Sequence, residues 1–161
     1  MVKTEVNFML FVCISFFIIS TSANKYVVSN QRVTFYEAHS RCRQYGLDPA
    51  EILSESDEKE IEQALLPIKD LGIFDGFWIF ASNLADKKNY YWLNSNLPLF
   101  YSAFYQGQPD NTGDKEHCLE LYQSTTGVFA WNDLSCDTKK RFICQRKQKI
   151  NACDDNRSGV L

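Results

Sequence analysis

The chain has 161 residues, 45% of them hydrophobic and 14% aromatic, which fits one globular domain of ordinary size. This composition excludes a disordered or fibrous protein, because such chains lack the apolar side chains that fill a core. The formal net charge is −3, and no run of basic residues reverses it. A mildly acidic protein has no electrostatic reason to bind nucleic acid, so a nucleic-acid partner is excluded.

The N-terminus has the pattern of a secretory signal peptide. Lys3 precedes a 12-residue apolar run from Phe8 to Ile19, which is too short to span a bilayer. Small residues follow, with a cleavage position after Ala23. We therefore expect residues 1–23 to be removed, leaving a secreted, extracellular protein without membrane insertion.

Two helices are predicted early in the remaining chain. Thr34 and Glu37 have the spacing of a capping box, in which each side chain bonds the other's backbone N–H, and Gly46 is placed to end that helix. Ser54 begins a second helix with acidic residues in its first turn, and Pro67 closes it.

Six segments rich in β-branched and aromatic residues predict strands. They are residues 25–29, 76–81, 90–93, 118–122, 127–131 and 141–144. Residues 94–114 have no clear period, and a loop of that length in a small domain is usually functional. Helices followed by mostly antiparallel strands indicate an α+β domain over residues 24–146, with a polar tail over residues 147–161.

Five oxygen-bearing side chains are expected on the loops that flank two of these strands. They are Gln108, Asp110, Glu116, Asn132 and Asp133. Three carboxylates and two amides suit a hard cation, because Ca²⁺ takes 6–8 oxygen ligands. Zinc would need nitrogen or sulfur ligands, and the chain has only two histidines. The sequence therefore predicts one Ca²⁺ site.

Six cysteines indicate disulfides if the chain enters an oxidising compartment. Cys13 would leave with the signal peptide, so five remain and one has no partner within the chain. They are Cys42, Cys118, Cys136, Cys144 and Cys153. Four cysteines allow three pairings, and spacing alone does not choose among them.

From about Tyr26 to Arg146 the chain resembles C-type lectin domains, above all small secreted single-domain lectins of invertebrates. The resemblance is carried by Cys42, Phe77-Trp-Ile79, Gln108-Pro-Asp110, Glu116-His-Cys118, Trp131-Asn-Asp133, Cys136 and Phe142-Ile-Cys144. It implies a C-type lectin-like fold, in which two helices pack on short antiparallel sheets beside a long calcium-binding loop. It also implies the disulfides Cys42–Cys144 and Cys118–Cys136. Cys153 is then left to bridge two copies into a homodimer, and Asn156 begins a glycosylation sequon.

In the family that the chain resembles, the five oxygen ligands bind both the ion and a sugar, and Pro109 is cis. The resemblance therefore implies a calcium-dependent lectin for glycan recognition or agglutination. The Gln108…Asp110 order goes with galactose-type glycans or glycoproteins, whereas a Glu…Asn order goes with mannose. Asn111 and Thr112 follow at the place where galactose-binding members often have a stacking aromatic ring.

An auxiliary calcium site of the family is degraded in this chain, so a single Ca²⁺ is expected. Asn83, Lys87, Asn111 and His117 replace mostly acidic ligands there. His117 is expected to be a solvent-exposed strand residue. The alternative function is a C-type lectin-like module that binds a protein without binding sugar. An enzyme is not expected, because no carboxyl pair shows signs of the burial that would raise a catalytic pKa.

Overall fold

The computed structural model describes residues 24–68 and 71–147. The predictions for the signal peptide, Cys153 and the Asn156 sequon lie outside these residues. No helix within the two described ranges is both long and apolar enough to cross a membrane. The elements are β1 (Tyr26–Val33), α1 (Phe35–Gln44), β2 (Asp48–Pro49), α2 (Glu55–Leu65), β3 (Gly76–Ser82), β4 (Tyr91–Trp92), a 3-10 turn (Thr112–Asp114), β5 (Cys118–Thr125), β6 (Val128–Leu134) and β7 (Lys140–Gln145).

Helix α1 begins at the predicted place but without the predicted capping box. Thr34 is the N-cap residue, yet its side chain makes no capping hydrogen bond. Glu37 instead accepts a hydrogen bond of 2.6 Å from the Arg41 guanidinium one turn later, and this i,i+4 ion pair turns Glu37 away from the helix end. Gly46 follows the helix with φ +73°, so its position as the residue that ends α1 is confirmed.

Helix α2 follows the sequence prediction closely. The Ser54 hydroxyl accepts a hydrogen bond of 3.2 Å from the backbone N–H of Asp57, as an N-cap residue should. Glu58, Ile61 and Leu65 form the buried stripe of the helix. The helix stops at Leu65, two residues before Pro67, and the predicted start and stop signals are therefore confirmed.

The strands form one sheet in the order β1-β7-β3-β5-β6, with β2 added to β7 and β4 added to β3. All pairs are antiparallel except β3–β7, which is parallel. Because side chains alternate along a strand, β3 contributes buried side chains to both faces of the sheet. Phe77 packs in a core layer with Trp131, whereas Trp78 packs on the other face against Phe35 of α1. The predicted α+β class is confirmed.

Two disulfides fasten this arrangement. Cys42–Cys144 joins α1 to β7 with its Cα atoms 5.5 Å apart. Cys118–Cys136 joins the first residue of β5 to the segment that follows β6, with a Cα separation of 5.2 Å. These are the two pairings that the resemblance implies.

Strand β6 runs further than the sequence predicts. The expected strand stopped at residue 131, but pairing with β5 continues as far as Cys118 opposite Leu134. Asn132 and Asp133 therefore lie inside a strand, and their predicted placement on a loop is wrong. The reason is non-local, because β5 supplies the partner that extends the ladder and the nearby disulfide holds the two strand ends together.

Candidate functional site

The long loop between β4 and β5 lies along the outer edge of β6. Phe104 forms an isolated parallel bridge with Trp131, and the Tyr105 N–H donates to the Trp131 carbonyl at 2.9 Å. The Gln108 N–H then closes a turn by donating to the Tyr105 carbonyl at 2.9 Å. The Gln108–Pro109 peptide is cis, as the resemblance implies. These contacts bring the segment after Pro109 beside the end of β6.

Three carboxylates meet where the loop reaches the strand. One oxygen from each of Asp110, Glu116 and Asp133 lies within 4.8 Å of the others; this set is called the carboxylate cluster below. Two oxygens on one Ca²⁺ at 2.3–2.6 Å can be no more than about 5 Å apart, so the spread fits a single ion. The donors are all hard oxygens, which is the chemistry that Ca²⁺ prefers.

Asp133 is the centre of this arrangement. Its side chain is fully buried, and its Oδ1 accepts the backbone N–H of Asp110 at 3.1 Å. Its Oδ2 accepts the backbone N–H of Asn111 at 2.8 Å and the Tyr90 hydroxyl at 3.4 Å. A carboxylate has about four lone-pair positions, so Asp133 fixes the loop while keeping room for a cation.

Asp110 is exposed and held in its ionised form by its neighbours. Thr112 donates to its Oδ1 through the hydroxyl at 2.7 Å and through the backbone N–H at 3.1 Å, and these hydrogen bonds lower the pKa of Asp110. The Gln108 amide Nε2 donates to Oδ2 at 3.3 Å. Gln108 thus lies directly against the carboxylate cluster, as predicted.

Glu116 has the opposite electrostatic environment. Burial, followed by the charges of Asp133 and Asp110, raises the pKa of Glu116. Its backbone N–H is held by the Asn111 side chain at 3.1 Å. A divalent cation at this point would offset the repulsion among the three carboxylates, whereas protons would compete with it.

Asn132 is the one predicted ligand that points elsewhere. It follows the core residue Trp131 in β6, so strand alternation directs its side chain to the other face of the sheet. In the described part of the chain its amide donates to Glu120 Oε1 at 3.2 Å, and Glu120 in turn is paired with Lys140 at 2.8 Å. The structure thus brings four of the five predicted ligands together and turns the fifth toward β5.

Two of the residues expected at the auxiliary calcium site contact each other, and a third bonds Asp114. His117 Nδ1 lies 3.0 Å from Asn83 Oδ1, and His117 is 6% exposed, so the expectation that it faces solvent is wrong. The Asn111 amide donates to Asp114 at 3.0 Å. This hydrogen bond and the positive charge of Lys87 lower the pKa of Asp114. A lysine ammonium thus supplies positive charge beside these residues.

A buried contact that the sequence analysis missed involves Trp131, which precedes Asn132 and Asp133 in β6. The Trp131 indole N–H donates to both carboxylate oxygens of Glu58, at 2.9 and 3.1 Å. Glu58 lies in α2 and is 6% exposed, and burial raises its pKa to about 7. Its spacing from Ile61 and Leu65, on the apolar stripe of the helix, was the signal available in the sequence.

Comparison with known proteins fits this geometry. The family model described as the lectin C-type domain matches residues 31–146. The chain belongs to the C-type lectin domain family. A similar relative is salivary C-type lectin 2 of Aedes albopictus, which is 34% identical over 134 residues that make up 80% of this chain and 87% of that protein. Members of this family are generally carbohydrate-binding proteins without enzymatic activity, and they generally bind Ca²⁺.

Solved structures share the fold of this C-type lectin domain. The mouse scavenger receptor C-type lectin carbohydrate-recognition domain is 26% identical, has a TM-score of 0.63, and is matched over 77% of this chain and 90% of that one. The C-type lectin CEL-I from Cucumaria echinata is 22% identical with a TM-score of 0.66, over 77% of this chain and 91% of that one. The predicted C-type lectin-like fold is confirmed.

Proposed function

We propose that this chain is a calcium-dependent lectin that binds galactose or N-acetylgalactosamine. The observation that carries the proposal is the carboxylate cluster, whose oxygens lie within 4.8 Å of one another beside the Gln108 amide. Gln108, Asp110, Glu116 and Asp133 would hold one ion. Asn132 is the fifth proposed ligand, and its amide oxygen would reach the ion only after its side chain leaves Glu120 and turns toward the carboxylate cluster.

The ligand residues have the chemistry to orient a sugar. Bound Ca²⁺ would supply coordination positions for two neighbouring hydroxyl groups. Ionised Asp110 and Glu116 can accept hydrogen bonds from those hydroxyls, and the amide N–H group of Gln108 can donate to them. Asn132 would add a second amide donor once its side chain turns toward the ion. Gln108 with Asp110 is the amide-then-acid order that goes with galactose in the family, where the 4-hydroxyl is axial, and this order supports the galactose preference.

Titration calorimetry and binding to immobilised sugars test the proposal. We expect the protein to bind Ca²⁺ and to be retained by N-acetylgalactosamine more strongly than by mannose, with EDTA abolishing retention. The double variant Gln108→Glu, Asp110→Asn should shift the preference toward mannose. Asp86→Asn is the matched control, because Asp86 is an exposed acid that caps a different loop through Lys88 and Asn89.

Two results would contradict the proposal. Absence of calorimetric Ca²⁺ binding would remove its basis, and retention that persists in EDTA would contradict the mechanism. Ca²⁺ binding together with silence on every sugar tested would favour the alternative function, a module that binds a protein partner. An unchanged sugar preference in the double variant would show that the Gln108…Asp110 order does not set it.

We further propose that the protein is secreted. The signal-peptide pattern of residues 1–23 supports this, and so do two disulfides, since such bonds persist in oxidising compartments. A relative is named as salivary. The homodimer through Cys153 remains a prediction, and the mass of non-reduced protein tests it.

A further inference from the structure

Tyr90 is a buried tyrosine whose hydroxyl contacts one of the proposed metal ligands. It directly precedes β4 and is 8% exposed, and its hydroxyl lies 3.4 Å from Oδ2 of Asp133. A phenol keeps its proton at neutral pH, so the hydroxyl donates to the carboxylate. The polar end of a buried aromatic ring needs a hydrogen-bond partner. Within the described residues, Asp133 is that partner.

The backbone around Tyr90 is held on both sides, so its ring has a defined position. Strand β4 pairs with β3, and the Leu99 N–H donates to the Tyr90 carbonyl at 3.1 Å. The next residue, Tyr91, forms an isolated bridge with Pro98. The ring itself packs against Phe104 with centroids 6.1 Å apart. These contacts fix the place from which the hydroxyl reaches Asp133.

The donors to Asp133 are divided unequally between its two oxygens. Oδ2 accepts from the Asn111 N–H at 2.8 Å and from the Tyr90 hydroxyl. Oδ1 accepts from the Asp110 N–H at 3.1 Å, and no other donor to it is found in the described part of the chain. Each carboxylate oxygen has about two lone-pair positions. Oδ2 is therefore filled, whereas Oδ1 keeps one position that a cation can use.

Tyr90 differs from the other two donors in the part of the fold to which it belongs. The N–H groups of Asp110 and Asn111 lie on the same loop as the proposed ligands, so they orient the Asp133 carboxylate relative to that loop. Tyr90 lies beside β4 and orients the carboxylate relative to the sheet. Asp133 is fully buried, and no lysine or arginine among the described residues forms an ion pair with it. Its orientation therefore depends on these neutral donors.

We infer that Tyr90 is a positioning residue for the proposed calcium site, and that it fixes the Asp133 carboxylate so that Oδ1 is the oxygen left for the ion. The inference rests on the proposed function. Groups that hydrogen-bond to metal ligands fix the orientation of those ligands, and their removal lowers metal affinity. Phenylalanine would fill the same space against Phe104, but it would leave a free position on Oδ2 and allow the carboxylate to turn.

Calorimetric titration of Tyr90→Phe with Ca²⁺ tests the inference. We expect the affinity to fall about tenfold, at the lower end of the usual range for such partners, because 3.4 Å is long for a hydrogen bond between two oxygens. Tyr26→Phe is the matched control. Tyr26 is also a buried tyrosine, 3% exposed, and its hydroxyl donates to the Glu51 carbonyl at 2.8 Å. Its variant loses one buried hydrogen bond but should keep the Ca²⁺ affinity of the wild type.

Near-ultraviolet absorption gives a second readout that a merely structural role would not change. The absorption of a phenol responds to the hydrogen bond that its hydroxyl makes. Because the two oxygens of Asp133 share one negative charge, an ion bound at Oδ1 weakens the hydrogen bond accepted by Oδ2. Addition of Ca²⁺ to the wild type should therefore shift a tyrosine absorption band. The shift should be lost in Tyr90→Phe and kept in Tyr26→Phe.

Several outcomes would overturn the positioning role of Tyr90 while leaving the proposed function intact. They are a Ca²⁺ affinity of Tyr90→Phe equal to that of the wild type, equal losses of affinity in Tyr90→Phe and Tyr26→Phe, and a tyrosine band that Ca²⁺ shifts equally in Tyr90→Phe and the wild type or does not shift at all. Absence of Ca²⁺ binding to the wild type would overturn the proposed function and this inference with it.

Discussion

Burial of Glu58 makes the stability of the fold decrease as the pH rises. Its pKa is raised from the ordinary value of 4.5 to about 7, chiefly by burial. Between pH 4.5 and pH 7, the folded protein therefore keeps a proton on Glu58 that the unfolded chain has released. Stability that Glu58 contributes is fully present below pH 4.5 and is lost as the pH rises through 7. The difference in pKa corresponds to about 3 kcal/mol of unfolding free energy.

Glu58→Gln should remove this dependence. Glutamine keeps a carbonyl oxygen that accepts the Trp131 indole N–H, but it never carries the charge that burial penalises. We expect the variant to equal the wild type near pH 4.5 and to exceed it by up to about 3 kcal/mol at pH 8. Urea unfolding in chelator at several pH values, with the disulfides intact, measures the difference.

Glu55→Gln is the matched control for this series. Glu55 lies in the same first turn of α2, but it is exposed and pairs with Lys59. Its loss should leave stability nearly unchanged, because a solvent-exposed i,i+4 ion pair contributes little. Parallel pH profiles for wild type and Glu58→Gln, or a variant that is less stable than wild type at pH 8, would refute the reasoning.

Three further predictions concern packing, cross-links and acid. Gly76→Ala should lower the free energy of unfolding in urea by about 1–3 kcal/mol, because an added Cβ would fall 2.0 Å from the buried Glu120 carboxylate. Gly72→Ala is the control and should lower it little, because the atom nearest to an added Cβ there is 3.7 Å away. Replacing Cys42 and Cys144 by alanine should lower stability by about 4–5 kcal/mol in the chain-entropy model, since the bridge spans 102 residues; a loss under 1 kcal/mol would contradict it. The Ca²⁺ affinity measured by calorimetry should fall as the pH drops from 7 toward 5, because protons compete with the ion for the carboxylate cluster, in which Glu116 has a raised pKa. A Ca²⁺ affinity that does not change with pH would contradict the assignment of these ligands.

Local sequence signals predicted the helices because helix ends depend on neighbouring residues. Ser54 caps α2 through a residue three positions away, and Gly46 ends α1 by its own conformation. The capping box at Thr34 failed because Glu37 had a competing partner one turn later. The length of β6 could not be predicted locally, because its last residues are ordered by pairing with β5.

The sequence predicted which residues form the candidate site better than it predicted where their side chains point. The spacing of the oxygen ligands identified the residues that form the carboxylate cluster. Strand alternation, applied to Trp131 as a core residue, would also have placed Asp133 on the core face and Asn132 on the opposite one. The contacts of Asn132 with Glu120 and of Tyr90 with Asp133 bridge 12 and 43 positions in the sequence. No local pattern contains them.

The sheet order has a consequence for how the molecule can be attached to anything else. Strands β1 and β6 are the two edges, and three strands lie between them, a width of about 19 Å. The described chain begins beside β1 and ends there as well, where the Arg146 N–H donates to the Lys25 carbonyl. Attachment through either end of the described chain would therefore leave from the β1 margin of the sheet, opposite the β6 margin where the carboxylate cluster lies.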